Sequence, residues 1–155
     1  MIAYYEFTEA VYNHLISDDD VNSVVIGDIS EVNFNKQEIF PFAHILIGSA
    51  TILSGFIRFS VTVSVMDIVD ITKSDIKAQI EPFKGIDNKQ DVLNTMMAVI
   101  ENLDKAIRND NLGYSGYELI DDITAEPFED RFNNLVTGWS ATFTVDVPNR
   151  KQKCG

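Results

Sequence analysis

Apolar and polar residues change period several times along the chain, and each change marks a predicted element. Tyr5, Val11, Tyr12, Leu15 and Ile16 recur at helical spacing, with Glu6, Glu9 and Asn13 between them. That pattern predicts an amphipathic helix of about four turns. Asp18, Asp19 and Asp20 come next, and three carboxylates at a helix C-terminus oppose its dipole, so the helix should stop before them. Val24–Ile26 ahead of Gly27 reads as a short strand, and residues 30–41 as an irregular crossing. Pro41 biases Phe40 to an extended conformation and opens a strand over residues 42–53, with Gly48 as the place for a bulge.

Ser54–Gly55 turns the chain, and a strict alternation follows. Ile57, Phe59, Val61, Val63 and Val65 alternate with Arg58, Ser60, Thr62 and Ser64, the signature of a strand with one face in the core. Residues 42–66 are therefore expected to form a long antiparallel hairpin. Asp91 opens a second helix whose apolar stripe is Val92, Leu93, Met96, Met97, Ile100, Leu103 and Ile107, with Asn111 and Gly113 ending it. Tyr117–Phe128 reads as one strand closed by Pro127. Trp139, Ala141, Phe143, Val145 and Val147 alternate with polar residues in another.

The order α-β-β-β-α-β-β predicts an α+β fold, an antiparallel or mixed sheet of about five strands with two helices packed on one face. One domain should span residues 1–148, and the polar residues 149–155 should form a disordered tail.

Composition narrows the function classes. The 155 residues carry 12 basic and 24 acidic side chains, a formal charge of −12. Such a surface repels phosphate backbones and anionic lipid, so specific nucleic-acid binding and membrane binding are not expected. The N-terminal segment lacks a basic region before an apolar run, no stretch is long and apolar enough to span a bilayer, and a cytoplasmic origin is expected. Cys154 is the single cysteine, which excludes an intrachain disulfide and a thiolate zinc cluster.

Candidate chemistry is sparse. His14 and His44 have no second ligand at metal-binding spacing, so each reads as an ordinary helix or strand histidine. Asp18–Asp20 lacks the alternation and glycine of a calcium loop. Asp67 with Asp70, and Asp121 with Asp122, are carboxylate pairs that acid–base chemistry could use only with a pocket and an opposed partner. No nucleophile elbow, phosphate loop or dinucleotide fingerprint occurs. The reading is of a protein that is not an enzyme and needs no cofactor or metal. Phe40, Phe42, Phe128 and Phe132 stand in or beside loops, where they either fill the sheet ends or anchor a subunit interface.

Three phrases carry a family likeness: MDIVD at Met66–Asp70, QDVLNTMMAVI at Gln90–Ile100, and EPFEDRFNNLVTGW at Glu126–Trp139. They resemble small virion proteins of tailed bacteriophages, the tail-terminator, tail-completion and head–tail connector proteins, over about residues 23–149. The resemblance implies a tail-terminator-like fold and a homo-oligomeric ring, typically sixfold or twelvefold, seated in the virion where the tail meets the head or on top of the tail tube. Its implied partners are further copies of itself and neighbouring neck, portal-side or tail-tube proteins, with DNA only in transit. The first 22 residues match nothing in it, and the segment 71–89 is either specific to the family or particular to this chain. The alternative is a non-catalytic α+β interaction module acting as monomer or dimer.

Residues 71–89 are long for a strand-to-helix connection and bear Ile71, Ile76, Ile80, Phe83 and Ile86. Thr72 and Asp75 have capping-box spacing, and one short helix ending before Pro82 fits here. Packed on a neighbouring subunit, Ile76, Ile80 and Phe83 would form a contact core. Lys73, Lys77 and Lys84 would then meet the partner's acidic surface. The competing reading folds the segment back over its own sheet.

Overall fold

A computed structural model of the chain describes residues 3–28, 39–69, 88–112, 116–131 and 135–149. Helix α1 spans Ala3–Ile16, β1 Ser23–Ile26, β2 Phe42–Leu53, β3 Phe56–Ile68 and α2 Lys89–Arg108. The last three strands are β4 Glu118–Leu119, β5 Thr124–Arg131 and β6 Leu135–Pro148. The fold is α+β, a mixed sheet of six strands in the order β1-β2-β3-β6-β4, with β5 also paired to β6. It is mixed because β1 runs parallel to β2 while every other pairing is antiparallel.

The long hairpin stands as its alternation predicts. β2 pairs with β3 from Phe42↔Met66 to Leu53↔Phe56, and the register slips between Ile47 and Ser49, so a bulge sits at Gly48. Gly55 takes φ +84 in the two-residue turn, a conformation that side chains rarely tolerate. Ile57, Phe59, Val61, Val63 and Val65 all face the core, joined on β6 by Ala141, Phe143, Val145 and Val147. Both helices pack on this one face, so burial of each Val or Phe there stabilises the fold by about 1.5–3 kcal/mol. On the opposite face, Arg58 makes a two-pronged contact with Asp146 across β3 and β6, at 2.8 and 3.1 Å.

Helix α1 stops before Asp18, as its acidic follow-on requires, but its inward face differs from the predicted stripe. Tyr5 is 70% exposed, whereas Glu6 is 6% exposed and Phe7 is fully buried. Phe7 stacks on Phe59 at 5.7 Å and meets Tyr117 edge-on at 5.6 Å, which turns the helix so that Glu6 comes inside. The Tyr117 hydroxyl lies 3.5 Å from the Glu6 carboxylate. In α2 the stripe is buried largely as read, except that Val99 and Ala106 are inside while Leu93 and Met97 are half-buried.

Tyr117–Phe128 is not one strand. Leu119 pairs with Val145, the Ile120 N–H still donates to the Thr144 carbonyl at 3.0 Å, and Thr124 pairs with Thr142, so residues 121–123 bulge out of the edge between β4 and β5. Pro127 closes nothing: it sits in the middle of β5, an edge strand where a missing N–H is tolerated. Most of the crossing at 30–41 and the tail from residue 150 lie outside the described residues.

Candidate functional site

Met66–Asp70, Gln90–Ile100 and Glu126–Trp139 are far apart in sequence, and their described residues are adjacent in the fold. Met66 and Asp67, at the end of β3, pair with Gly138 and Thr137 of β6. Glu126–Arg131 and Leu135–Trp139 are the two arms of the β5–β6 hairpin. Gln90–Ile100 lies in the first half of α2, where the Trp139 indole N–H donates to the Leu93 carbonyl at 2.8 Å. Lys89, on the first turn of α2, forms an ion pair with Glu129 of β5. One end of the sheet therefore gathers all three.

Close packing there depends on Gly138. A Cβ at this position would collide with the Val65 carbonyl oxygen and come within 2.8 Å of the Met66 Cα. A glycine inside an otherwise alternating strand is the sequence signal of such a backbone approach. The Thr137 hydroxyl donates to the Phe128 carbonyl at 2.8 Å, and the Val69 N–H to the Leu135 carbonyl at 2.8 Å, fastening the same corner. On the sheet face away from the helices, Phe40, Phe42, Met66 and Val136 form a second buried cluster, with Val25, Ile39, Ile68 and Phe128 against it. Phe40 and Phe42 thus fill the sheet end, Phe128 is half-buried at its margin, and Phe132 lies outside the described residues.

Asp67 also lies at this corner. Burial pushes its carboxyl above the usual range, while the Ile68 N–H, donating to Oδ1 at 2.7 Å, opposes that shift. Asp70, its proposed partner, lies outside the described residues, so no opposed pair is seen here. Asp122 instead accepts from Arg108 at 3.0 Å on the surface, and Arg108 also pairs with Asp104.

The two histidines lie elsewhere. His44 engages the Gly27 carbonyl through Nε2, a link between β2 and the end of β1. His14 lines a cleft with Asp18, Asp19, Asp20, Asn102 and Lys105, and its Nε2 is buried without a hydrogen-bond partner among the described residues. Among the described residues no three His, Cys, Asp or Glu side chains are grouped to hold a metal ion. No helix among them is long and apolar enough to cross a membrane.

The interface residues read from the sequence, Ile76, Ile80 and Phe83 with Lys73, Lys77 and Lys84, all lie outside the described residues. What the structure places is their point of departure. The described chain leaves at Val69 and resumes at Asn88, both at the end where the three phrases meet. Sequence reasoning missed the Trp139–Leu93 link and the role of Gly138; the glycine was the available signal. No protein-family model matches the chain, and a search of curated proteins finds no match either.

Proposed function

We propose that the chain is a structural protein of a tailed-phage virion, forming a homo-oligomeric ring at the head–tail junction as neck connector or tail terminator. The observation that carries this reading is the convergence of the three family-like phrases on one corner of the sheet. Segments that act together are expected to meet in space, and these do. Segment 71–89 starts from that corner, which suits a reach toward a neighbouring subunit. A net charge of −12 suits a ring through which DNA passes, since an acidic lumen makes none of the phosphate contacts that would hold the duplex.

The test is the mass of the protein in solution with neighbouring neck and tail-tube proteins present, by native mass spectrometry and electron microscopy. A six- or twelve-membered ring is expected. The triple variant Ile76→Ser, Ile80→Ser, Phe83→Ser should keep the melting temperature of the monomer and lose the ring. A monomer or dimer under all these conditions overturns the proposal in favour of a non-catalytic interaction module.

A further inference from the structure

Helix α1 ends beside α2 in a corner that combines a buried polar atom with a row of carboxylates. His14 stands in the last turn of α1, and its Nε2 is buried with no hydrogen-bond partner among the described residues. The residue lines an open cleft of about 620 Å³, shared with Asp18, Asp19 and Asp20 of the following turn and with Asn102 and Lys105 of α2.

Asp18 is the knot of that corner. Its N–H donates to the Leu15 carbonyl at 3.1 Å, and its own carbonyl accepts from the Val21 N–H at 3.1 Å. Its carboxylate accepts from the Asp20 N–H at 3.0 Å through Oδ1 and, at a long 3.4 Å, from the Asn102 side chain through Oδ2. One side chain thus fastens the turn and ties it to α2. The next residues are braced separately, because the N–H groups of Asn22 and Ser23 both donate to the Pro41 carbonyl, at 2.7 and 3.2 Å.

A neutral ring and a charged ring need different surroundings. Neutral imidazole can leave one nitrogen as a bare lone pair, whereas imidazolium carries an N–H on both nitrogens and a full charge. Keeping that charge buried with Nε2–H unpaired is strongly disfavoured, while an opposite charge nearby favours it. The charged groups that share the cleft with His14 are Asp18, Asp19 and Asp20 on the turn and Lys105 on α2. The strands beneath α1 meet it with Val24, Ala43 and Ile45, which carry no charge. Three carboxylates against one ammonium make the cleft the better place for an imidazolium and the interior the better place for a neutral ring. Burial lowers the His14 pKa from 6.5 and Asp18 opposes the shift, so charging the ring takes a pH below 6.5.

We propose that His14 is an acid-operated latch between α1 and α2. Neutral, the ring sits with Nε2 in the interior and the turn stays fastened. On taking up a proton it swings into the cleft and donates to the Asp18 carboxylate, which then releases the Asp20 N–H and Asn102. The turn over residues 18–21 loosens, and the brace on the Pro41 carbonyl stops the change at Asn22. The latch belongs to the single copy and does not depend on the ring reading.

The test is a nuclear magnetic resonance titration of the full labelled chain from about pH 7.5 to about pH 5, the range in which histidine charges. The Asp20 amide should shift with the midpoint of the His14 ring, and the amides of Asn22 and Ser23 should not. At the acid end the ring protons of His14 should gain Overhauser contacts with Asp18 that are absent at the neutral end. Asp18→Asn should lower the His14 midpoint by about 1 pH unit, the effect of losing an adjacent opposite charge, and Asp19→Asn should lower it less. His14→Gln should abolish the Asp20 shift while far-ultraviolet circular dichroism stays that of the parent. An Asp20 amide that ignores the His14 titration, a ring without new contacts to Asp18, or a shift that persists in His14→Gln overturns the inference. A midpoint unmoved by Asp18→Asn overturns it too, as does unfolding of the whole chain at the His14 midpoint.

Discussion

The Trp139 indole N–H donates to the Leu93 carbonyl at 2.8 Å, so the single tryptophan of the chain ties the first turns of α2 to the β5–β6 hairpin. The same carbonyl is a helical acceptor, so removing the indole leaves no orphaned group. Trp139→Phe should therefore cost only about 1 kcal/mol in urea denaturation. Amide exchange in the first two turns of α2 should rise more than in its last two. Uniform exchange along the helix would show that the link does not hold it.

Gly138→Ala should be far more damaging than its one added methyl suggests. The new Cβ meets backbone at Val65 and Met66, which cannot turn aside as a side chain would. Overpacking of this kind costs about 1–3 kcal/mol, and more where main chain must move. A denaturation midpoint equal to that of the parent would refute the close approach.

Val61→Asp and Thr62→Asp separate the two faces of β3. Val61 is fully buried among the helices, whereas Thr62 stands on the open face opposite Leu46 and Thr142. An unpaired carboxylate at Val61 costs several kcal/mol, comparable with the stability margin of a small domain. Thr62→Asp should be mild, and equal melting temperatures for the two would contradict the register.

His14 gives a pH dependence with a defined sign. Burial lowers its pKa below the ordinary 6.5, with Asp18 opposing the shift. The folded state thus prefers the neutral ring, and the unfolded chain takes up the proton first as pH falls. The contribution is fully present above about pH 6.5 and is lost as pH drops toward the lowered folded value. His14→Gln should remove this part of the slope, so the parent should lose more stability than the variant between about pH 7.5 and pH 5. Parallel pH profiles would show that His14 does not titrate differently on folding.

Periodicity by itself determined the elements whose signal is local. The alternation from Ile57 to Val65, the turn at Ser54–Gly55, the bulge at Gly48 and the end of α1 before Asp18 each depend on residues within a few positions of one another. The α+β class follows from their order. For the candidate site, sequence supplied the three phrases and the glycine beside Trp139, but not their meeting. Tertiary structure alone decided that Phe7 wedges against Phe59 and Tyr117 and so turns Glu6 inward and Tyr5 outward. It also decided that β4 and β5 are separate pieces of one edge, and that, among the described residues, β1 pairs with only the first four residues of β2. These outcomes rest on registers between residues as distant as Ile57 and Val147, and a local hydrophobic period carries no term for which distant strand comes to lie beside it.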